Sequence, residues 1–223
     1  MTERIPVLLT RWLAAVAAVA ACVFAPVAAA APDTAPDVMV RKSIEEVLGL
    51  IKADKELQAG NQKKLLELIE EKVLPHFDFT RMTRLAVGRN WAQASEAQKE
   101  SLTREFRTML VRTYSTSLSQ YRNQTIDVKP AKVAPGDNET VVKTLINQPG
   151  GQPIPIDYSM EKSDKGWRVY DVVVDGVSLV TTYRSSFNDQ IQKGGIDGLV
   201  KTLADRNKGG GASAGPAKAE PKK

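Results

Sequence analysis

The hydrophobic positions of the chain follow two periods, a helical one in the first half and an alternating one after Thr125. Apolar residues recur at helical spacing from Asp37 to about Ala53, and again after Asn61, a residue suited to cap a helix. Pro75 is expected to end this second helix, and an irregular or helical stretch broken by Gly88 follows. The pattern therefore predicts a helical first half.

The longest predicted helix begins at a capping box, Ser95-Glu96-Ala97-Gln98, and runs from about Glu96 to Tyr121. Its apolar stripe consists of Leu102, Phe106, Leu110, Tyr114, Leu118 and Tyr121. Near the other end of the chain Ser178 is expected to cap a further helix, which Gly194 and Gly195 separate from a last one.

Four strands are predicted between these helices, because apolar and polar residues alternate there. They span Thr125 to Val133, Glu139 to Asn147, Pro153 to Lys162 and Gly166 to Asp175. Their short connections imply antiparallel pairing. In the third strand Ile154, Ile156, Tyr158 and Met160 point to one side, so we expect a sheet with one dry face and one wet face.

The first thirty residues have the pattern of a signal peptide, in which Arg4 and Arg11 precede an apolar run and the small residues Ala28 to Ala30. We predict cleavage after Ala30, which leaves Ala31 at the N-terminus of an exported, soluble protein. The apolar run is shorter than the roughly 20 residues that a membrane-spanning helix needs.

Cys22 allows an alternative, because Val19-Ala20-Ala21-Cys22 loosely resembles the site at which bacterial lipoproteins are cut and acylated. The residues after Cys22 stay apolar as far as Ala31, where a lipoprotein would show a polar tether. If Cys22 leaves with the signal peptide, the mature chain has no cysteine, which excludes disulfides and sulfur-ligated metals.

The mature chain is predicted to form a single domain over residues 31–207, followed by a disordered basic tail, 208–223, of Gly, Ala, Pro and Lys. The formal net charge is +5, of which four lysines and Glu220 in the tail account for +3 and the leader for +1. The body is therefore close to neutral. Nucleic-acid binding, which needs cations massed on a folded face, loses its main support.

No catalytic constellation stands out in the sequence. His76 is the single histidine and cannot build a multi-histidine metal site. The segment Gly211 to Gly215 matches G-x-S-x-G, but it lies in the tail without the strand-turn-helix context of that motif. Carboxylate pairs remain as candidates for acid or base chemistry, namely Glu45-Glu46, Glu70-Glu71 and Asp171 with Asp175.

One segment resembles the signature of the MlaC family, also called the toluene-tolerance Ttg2 auxiliary family. It reads Gly166-Trp167-Arg168-Val169-Tyr170-Asp171-Val172, followed by Asp175-Gly176-Val177-Ser178-Leu179. Further matches, which extend from about Leu65 to Leu203, are Val73-Leu74-Pro75, Phe77-Asp78, Gly88, Trp91, Phe106, Tyr114, Leu118, Tyr121, Tyr183-Arg184, Phe187 and Gly195-Ile196-Asp197-Gly198-Leu199. Asp175 stands where the family pattern leads us to expect Glu.

The resemblance implies an α+β fold, a twisted antiparallel sheet wrapped by helices around an apolar lipid pocket. It implies a non-enzymatic periplasmic shuttle with no cofactor, whose cargo is a diacyl phospholipid. The implied partners are an outer-membrane lipoprotein and porin complex and an inner-membrane ABC transporter with an MCE-domain ring, and the implied role is maintenance of outer-membrane lipid asymmetry.

Apolar side chains of the long helix and the third strand are our candidates for the pocket lining. The predicted lipid-binding residues are Phe77, Phe106, Leu110, Tyr114, Leu118, Ile156, Tyr158, Met160, Val177, Leu179 and Phe187. The same side chains could instead pack as a solid core. Two other functions stay open, an isomerase-like enzyme that uses Asp171 or a pocket tyrosine, and a module that binds other envelope proteins.

Overall fold

A computed structural model of the chain describes residues 34–119 and 124–209, with the backbone alone for residues 116–119. The predicted signal peptide, Tyr121 and residues 210–223 of the predicted tail lie outside the described residues. The helical first half is confirmed. Its elements are α1 (Pro36–Ala53), α2 (Lys55–Gln58), α3 (Gln62–Leu68), a π-helical segment (Ile69–Val73), a 3-10 turn (Leu74–His76), α4 (Phe79–Val87), a second 3-10 segment (Gly88–Gln93) and α5 (Glu96–Ser119).

Side-chain caps confirm three predicted helix starts. In the capping box the backbone N–H of Ser95 donates to Gln98 Oε1 at 3.0 Å, and the N–H of Gln98 donates to Ser95 Oγ at 3.2 Å. Asn61 and Ser178 likewise accept from the N–H groups three residues further on, at 3.2 and 3.0 Å. These bonds satisfy donors of the first helical turn that have no partner within the helix.

The second predicted helix changes its geometry along its length. It is α-helical as far as Leu68, π-helical over Ile69–Val73 and then a 3-10 turn over Leu74–His76. Pro75 sits in this last turn and has no backbone N–H to donate, which ends the helix where the sequence predicts. A π-helix carries more residues per turn, so side chains after Leu68 point in directions that the α-helical period does not predict.

The second half of the chain forms one antiparallel sheet, which confirms the α+β class. Strand β1 ends at Val128 rather than at Val133, because Pro130 cannot donate to the ladder. A short fifth strand adds to the four that were predicted. In spatial order the strands are β1 (Thr125–Val128), β2 (Glu139–Asn147), β3 (Ile154–Ser163), β4 (Gly166–Val174) and β5 (Val177–Ser178).

A β-bulge in β4 changes which residues face the interior. Ser159 of β3 pairs with Asp171, but its neighbour Met160 pairs with Val169, so Tyr170 is the extra residue. Val169 and Val172 are three positions apart and would face opposite sides of a regular strand. Both are buried, at 3% and 9% exposure. The bulge therefore turns an otherwise alternating strand so that both valines serve the core.

The turn between β4 and β5 consists of Asp175 and Gly176, with φ angles of 50° and 78°. Two successive positive φ angles are typical of a type I′ hairpin, which favours Asp-Gly. Helix α6 (Leu179–Lys208) then begins, and it breaks at Gly195 with φ 68° and ψ −172°. This break confirms the predicted division of the last helical region at Gly194-Gly195.

The core consists of two main groups of buried residues. The first joins α4, α5 and α6, where the ring of Phe106 lies 5.3 Å from that of Tyr183 and 5.2 Å from that of Phe187. The second lies on the inner face of the sheet beneath α1 and includes Met160. Phe77 packs against both groups.

Candidate functional site

A cavity of about 640 Å³ lies between the inner face of the sheet and the helices. This volume is within the range of small-molecule sites in proteins. None of the described residues that line it is charged. They are Leu48, Ile69, Val73, Leu74, Phe77, Phe79, Met82, Leu110, Val111, Tyr114, Ser115, Gln124, Ile126, Ile146, Gln148, Ile154, Ile156, Tyr158, Val172, Val174 and Leu179.

The structure brings six of the predicted lipid-binding residues together at this cavity. They come from the segment before α4, from α5, from β3 and from the first turn of α6, and they are Phe77, Leu110, Tyr114, Ile156, Tyr158 and Leu179. Leu110 is almost fully buried, while the other five are half-buried. A side chain that borders an internal space stays partly exposed, because no other side chain covers it on that side.

Four other predicted residues lie elsewhere. Phe106 and Phe187 are 0% and 2% exposed, because their rings pack on each other between α5 and α6. Met160, 0% exposed, is enclosed by the sheet core beyond Tyr158. Val177 is 37% exposed on the short edge strand β5. The side chain of Leu118 lies outside the described residues.

Several lining residues were not predicted, for two different reasons. Ile69 and Val73 reach the cavity from the π-helical segment, and their position depends on a helix geometry that hydrophobic spacing does not reveal. Ile126, by contrast, alternates with the polar Thr125 and Asp127 in β1, and Ile146 shares a face of β2 with Val142 and Thr144, although its neighbour Leu145 is apolar. The period of two that identified the third strand could have found them.

The tyrosine hydroxyls of the cavity are neutral and have partners within the protein. Burial raises the pKa of Tyr158, which outweighs the opposite effect of its hydrogen bond with Thr144. Burial likewise raises the pKa of Tyr114 and of its hydrogen-bonding partner Tyr183. The Thr144 hydroxyl also donates to the carbonyl of Ile156 at 2.9 Å. The hydroxyls are thus satisfied without a ligand, and the described lining of the space they border carries no charge.

Asp171 is engaged by three donors. Its Oδ2 accepts from the Ser178 hydroxyl at 2.5 Å, and its Oδ1 accepts from the N–H groups of Val172 and Val180 at 2.8 and 3.2 Å. These bonds tie β4 to the start of α6. Asp171 therefore has a structural task at this position.

The remaining candidate acids and bases lie away from the cavity. His76 is half-buried and does not line it, and burial lowers the pKa of its imidazole. The side chains of Glu45, Glu46, Glu70 and Glu71 are exposed. Within residues 34–119 and 124–209, no group of three or more His, Cys, Asp or Glu side chains could hold a metal ion. Over the same residues, no helix combines the length and the apolar character required to cross a bilayer.

The fold and the cavity define a class of protein, an α+β protein with an internal cavity whose described lining is uncharged and suits a largely apolar ligand. The chain belongs to the MlaC family, described as the MlaC protein, whose pattern it matches over residues 41–205. The match spans both the helices and the sheet that enclose the cavity.

Two relatives and one solved structure are similar to most of the chain. The toluene tolerance protein ttg2D of Pseudomonas putida is 28% identical over 80% of this chain and 82% of its own. The intermembrane phospholipid transport system binding protein MlaC of Haemophilus influenzae is 24% identical over 77% of this chain and 81% of its own. A phospholipid-binding protein from Ralstonia solanacearum, solved in complex with a phospholipid, is 39% identical, with a TM-score of 0.73 over 79% of this chain and 99% of that one.

Proposed function

We propose that the chain is a non-enzymatic carrier that binds a phospholipid with its acyl tails in the cavity between the sheet and α5. The observation that carries this proposal is a cavity of about 640 Å³ in which none of the described lining residues is charged. A relative with 39% identity and the same fold is solved with a phospholipid bound, which supports the choice of ligand. The lining residues Leu110, Tyr114, Ile156 and Tyr158 are the contacts we propose for the tails.

The energetics of such a carrier favour reversible loading. Each methylene that leaves hydrocarbon for water costs about 0.8 kcal/mol, so a free diacyl lipid cannot cross an aqueous compartment at a useful rate. Moving a tail from a bilayer into an apolar cavity replaces one hydrocarbon environment by another. The net free energy is then close to zero, and the same protein can both take up and release its cargo.

We propose the periplasm as the site of action, with residues 1–30 as the export signal. The proposed partners are an outer-membrane lipoprotein and porin complex and an inner-membrane ABC transporter with an MCE-domain ring. The proposed role is to maintain the lipid asymmetry of the outer membrane. The name of the Haemophilus influenzae relative, which describes intermembrane phospholipid transport, supports a carrier between two membranes.

The test is extraction and mass spectrometry of lipid from protein purified without detergent. We expect at least one phospholipid molecule per protein, and we expect this lipid to be chemically intact after long incubation. Delipidated protein should take up lipid again from phospholipid vesicles. Protein that purifies empty and cannot be loaded from vesicles would contradict the proposal. N-terminal sequencing of a periplasmic extract should give Ala31, whereas a lipid-modified Cys22 at the terminus would contradict a soluble carrier.

A further inference from the structure

The floor of the cavity, formed by the inner face of the sheet, ends at a defined position along the strands. On β3 the lining extends as far as Tyr158, whereas the next residue of the same face, Met160, is 0% exposed and does not line the cavity. On β4 the partner of Tyr158, Val172, lines the cavity, while the partner of Met160, Val169, is buried outside it. The floor therefore stops between these two residue pairs.

The helices close the cavity at the same end. Leu110 of α5 lines the cavity, but Phe106, one turn earlier, is 0% exposed and does not. Helix α4 packs on β4, and the N–H of Asp78, the cap of α4, donates to the carbonyl of Val169 at 2.8 Å. Sheet and helices thus meet just beyond Val172.

The other end of the floor lies at the connection between β2 and β3. Ile146 and Ile154, which pair across the two strands, line the cavity together with Gln148. Residues 149–153, which join the strands, are exposed. From Ile154 to Tyr158 the floor spans about 13 Å of β3. The cavity therefore has a limited length, which its end at Tyr158 restricts whichever way a ligand lies.

Met82 of α4, one turn after Asp78, lies at this closed end and belongs to both environments. It is 2% exposed, it lines the cavity, and it is also part of the core between α4, α5 and α6. Ala86, one turn further along α4, is 0% exposed and does not line the cavity. Because Met82 borders the cavity, truncation of its side chain enlarges the cavity instead of leaving an isolated void. An unbranched thioether is also adaptable in shape, which suits a side chain that meets a flexible ligand.

We propose that Met82 limits the length of the acyl chains that the carrier binds, because it forms the closed end of the cavity together with Leu110, Tyr158 and Val172. This inference rests on the proposed function. A chain too long for the cavity leaves methylenes in water, and each of them weakens binding about fourfold. A chain that is too short leaves part of the lining without contacts. The cavity therefore selects chains of matching length.

Competitive loading tests this role of Met82. Delipidated protein is incubated with vesicles that contain equal amounts of phosphatidylcholines whose paired monounsaturated chains range from about 14 to about 22 carbons. Mass spectrometry measures the bound species. In the wild-type protein the bound fraction should fall beyond a limiting chain length. In Met82→Ala this limit should increase by about two carbons, and binding of the first species beyond the wild-type limit should rise about tenfold relative to shorter ones.

A matched control removes the same number of heavy atoms elsewhere in the same core. Leu102 is 0% exposed and does not line the cavity, so Leu102→Ala should bind the same chain lengths as the wild-type protein. Val172→Leu adds one carbon at the closed end and should shift the limit toward shorter chains. This variant tests the closed end even where Met82→Ala does not fold.

Several outcomes overturn the proposal while lipid is still bound, and so leave the carrier intact. A wild-type protein that binds every chain length in its vesicle proportion has no length limit. A limit that is unchanged in Met82→Ala, or in Val172→Leu where Met82→Ala does not fold, is not set at the closed end. Equal shifts in Met82→Ala and Leu102→Ala reflect a loosened core. A wild-type protein that takes up no lipid from these vesicles refutes the proposed function itself.

Discussion

The carboxylate of Asp171 and the hydroxyl of Ser178 are joined by a hydrogen bond of 2.5 Å between Oδ2 and Oγ. The bond connects the bulged strand β4 with the residue that caps α6. Leu179, in the first turn of that helix, lines the cavity. A carboxylate that the sequence offers as an acid or base therefore holds one wall of the cavity in position.

Replacement of Asp171 by Asn should lower stability without changing any lipid product. The charge-assisted bonds to Ser178 and to two backbone N–H groups weaken, and we expect the free energy of unfolding to fall by about 1–3 kcal/mol. Urea denaturation measures this loss. Asp164→Asn is the control, because Asp164 is exposed in the turn between β3 and β4. Lysophospholipid or free fatty acid that forms in the wild-type protein but not in Asp171→Asn would contradict the structural role and favour an enzyme.

Two tryptophan substitutions on β3 separate the cavity from the core. Ile156 lines the cavity, and Met160, four residues along the same strand, is fully buried. In Ile156→Trp the indole takes space that acyl chains would use, so co-purified phospholipid should fall sharply while the delipidated protein keeps its melting temperature. Met160→Trp overpacks a closed interior and should cost about 1–3 kcal/mol.

Both variants must be compared after delipidation, because a ligand that binds only the folded state raises the apparent melting temperature. Equal destabilisation of the two delipidated variants, with a full complement of lipid in each, would mean that Ile156 belongs to a solid core. The proposed contacts of the tails would then be misplaced.

His76 should make the protein less stable in mild acid. Burial holds the pKa of its imidazole below 6.5, while the nearby carboxylate of Glu46 opposes this effect and Arg168 adds to it. As the pH falls below about 6.5, His76 takes up a proton in the unfolded chain before it does so in the folded protein. The free energy of unfolding therefore decreases as the pH falls from about 6.5 to the pKa of the folded state. For a half-buried group we expect less than about 1 kcal/mol between pH 7.5 and 5.5. Urea denaturation at several pH values measures this dependence, and His76→Gln should remove it. An unchanged dependence of the free energy of unfolding on pH in His76→Gln would show that His76 is not its cause.

Removal of residues 209–223 should leave lipid loading and stability unchanged, because this segment contains no apolar residue larger than alanine or proline. Asn207 marks the limit of the segment that can be removed. Its side-chain amide donates to the backbone carbonyl and to the carboxylate of Glu105, both at 3.0 Å, and Arg112 donates to its carbonyl. Asn207→Ala should lower the free energy of unfolding by about 1–3 kcal/mol. A protein that lacks residues 209–223 and purifies without lipid would contradict the prediction for the truncation.

The sequence by itself determined where helices begin and where strands alternate. Ser95 with Gln98, Asn61 and Ser178 cap helices as predicted, because capping depends on residues within a few positions of each other. The break at Gly195 follows from a φ angle that other residues rarely adopt. The change of period at Thr125 was sufficient to predict an antiparallel sheet next to helices.

Only the tertiary structure decided which apolar residues border a space and which fill the core. Phe106 and Leu110 are neighbours on one stripe of α5, yet Leu110 touches the cavity while Phe106 is sealed between helices. A hydrophobic position shows that a side chain leaves water, but it does not show whether another side chain or an empty volume meets it. Whether an apolar side chain borders the cavity also depends on two irregular elements, the bulge at Tyr170 and the π-helical segment Ile69–Val73. Both change the direction of the side chains that follow them, so the regular periods of helix and strand do not predict where those side chains point.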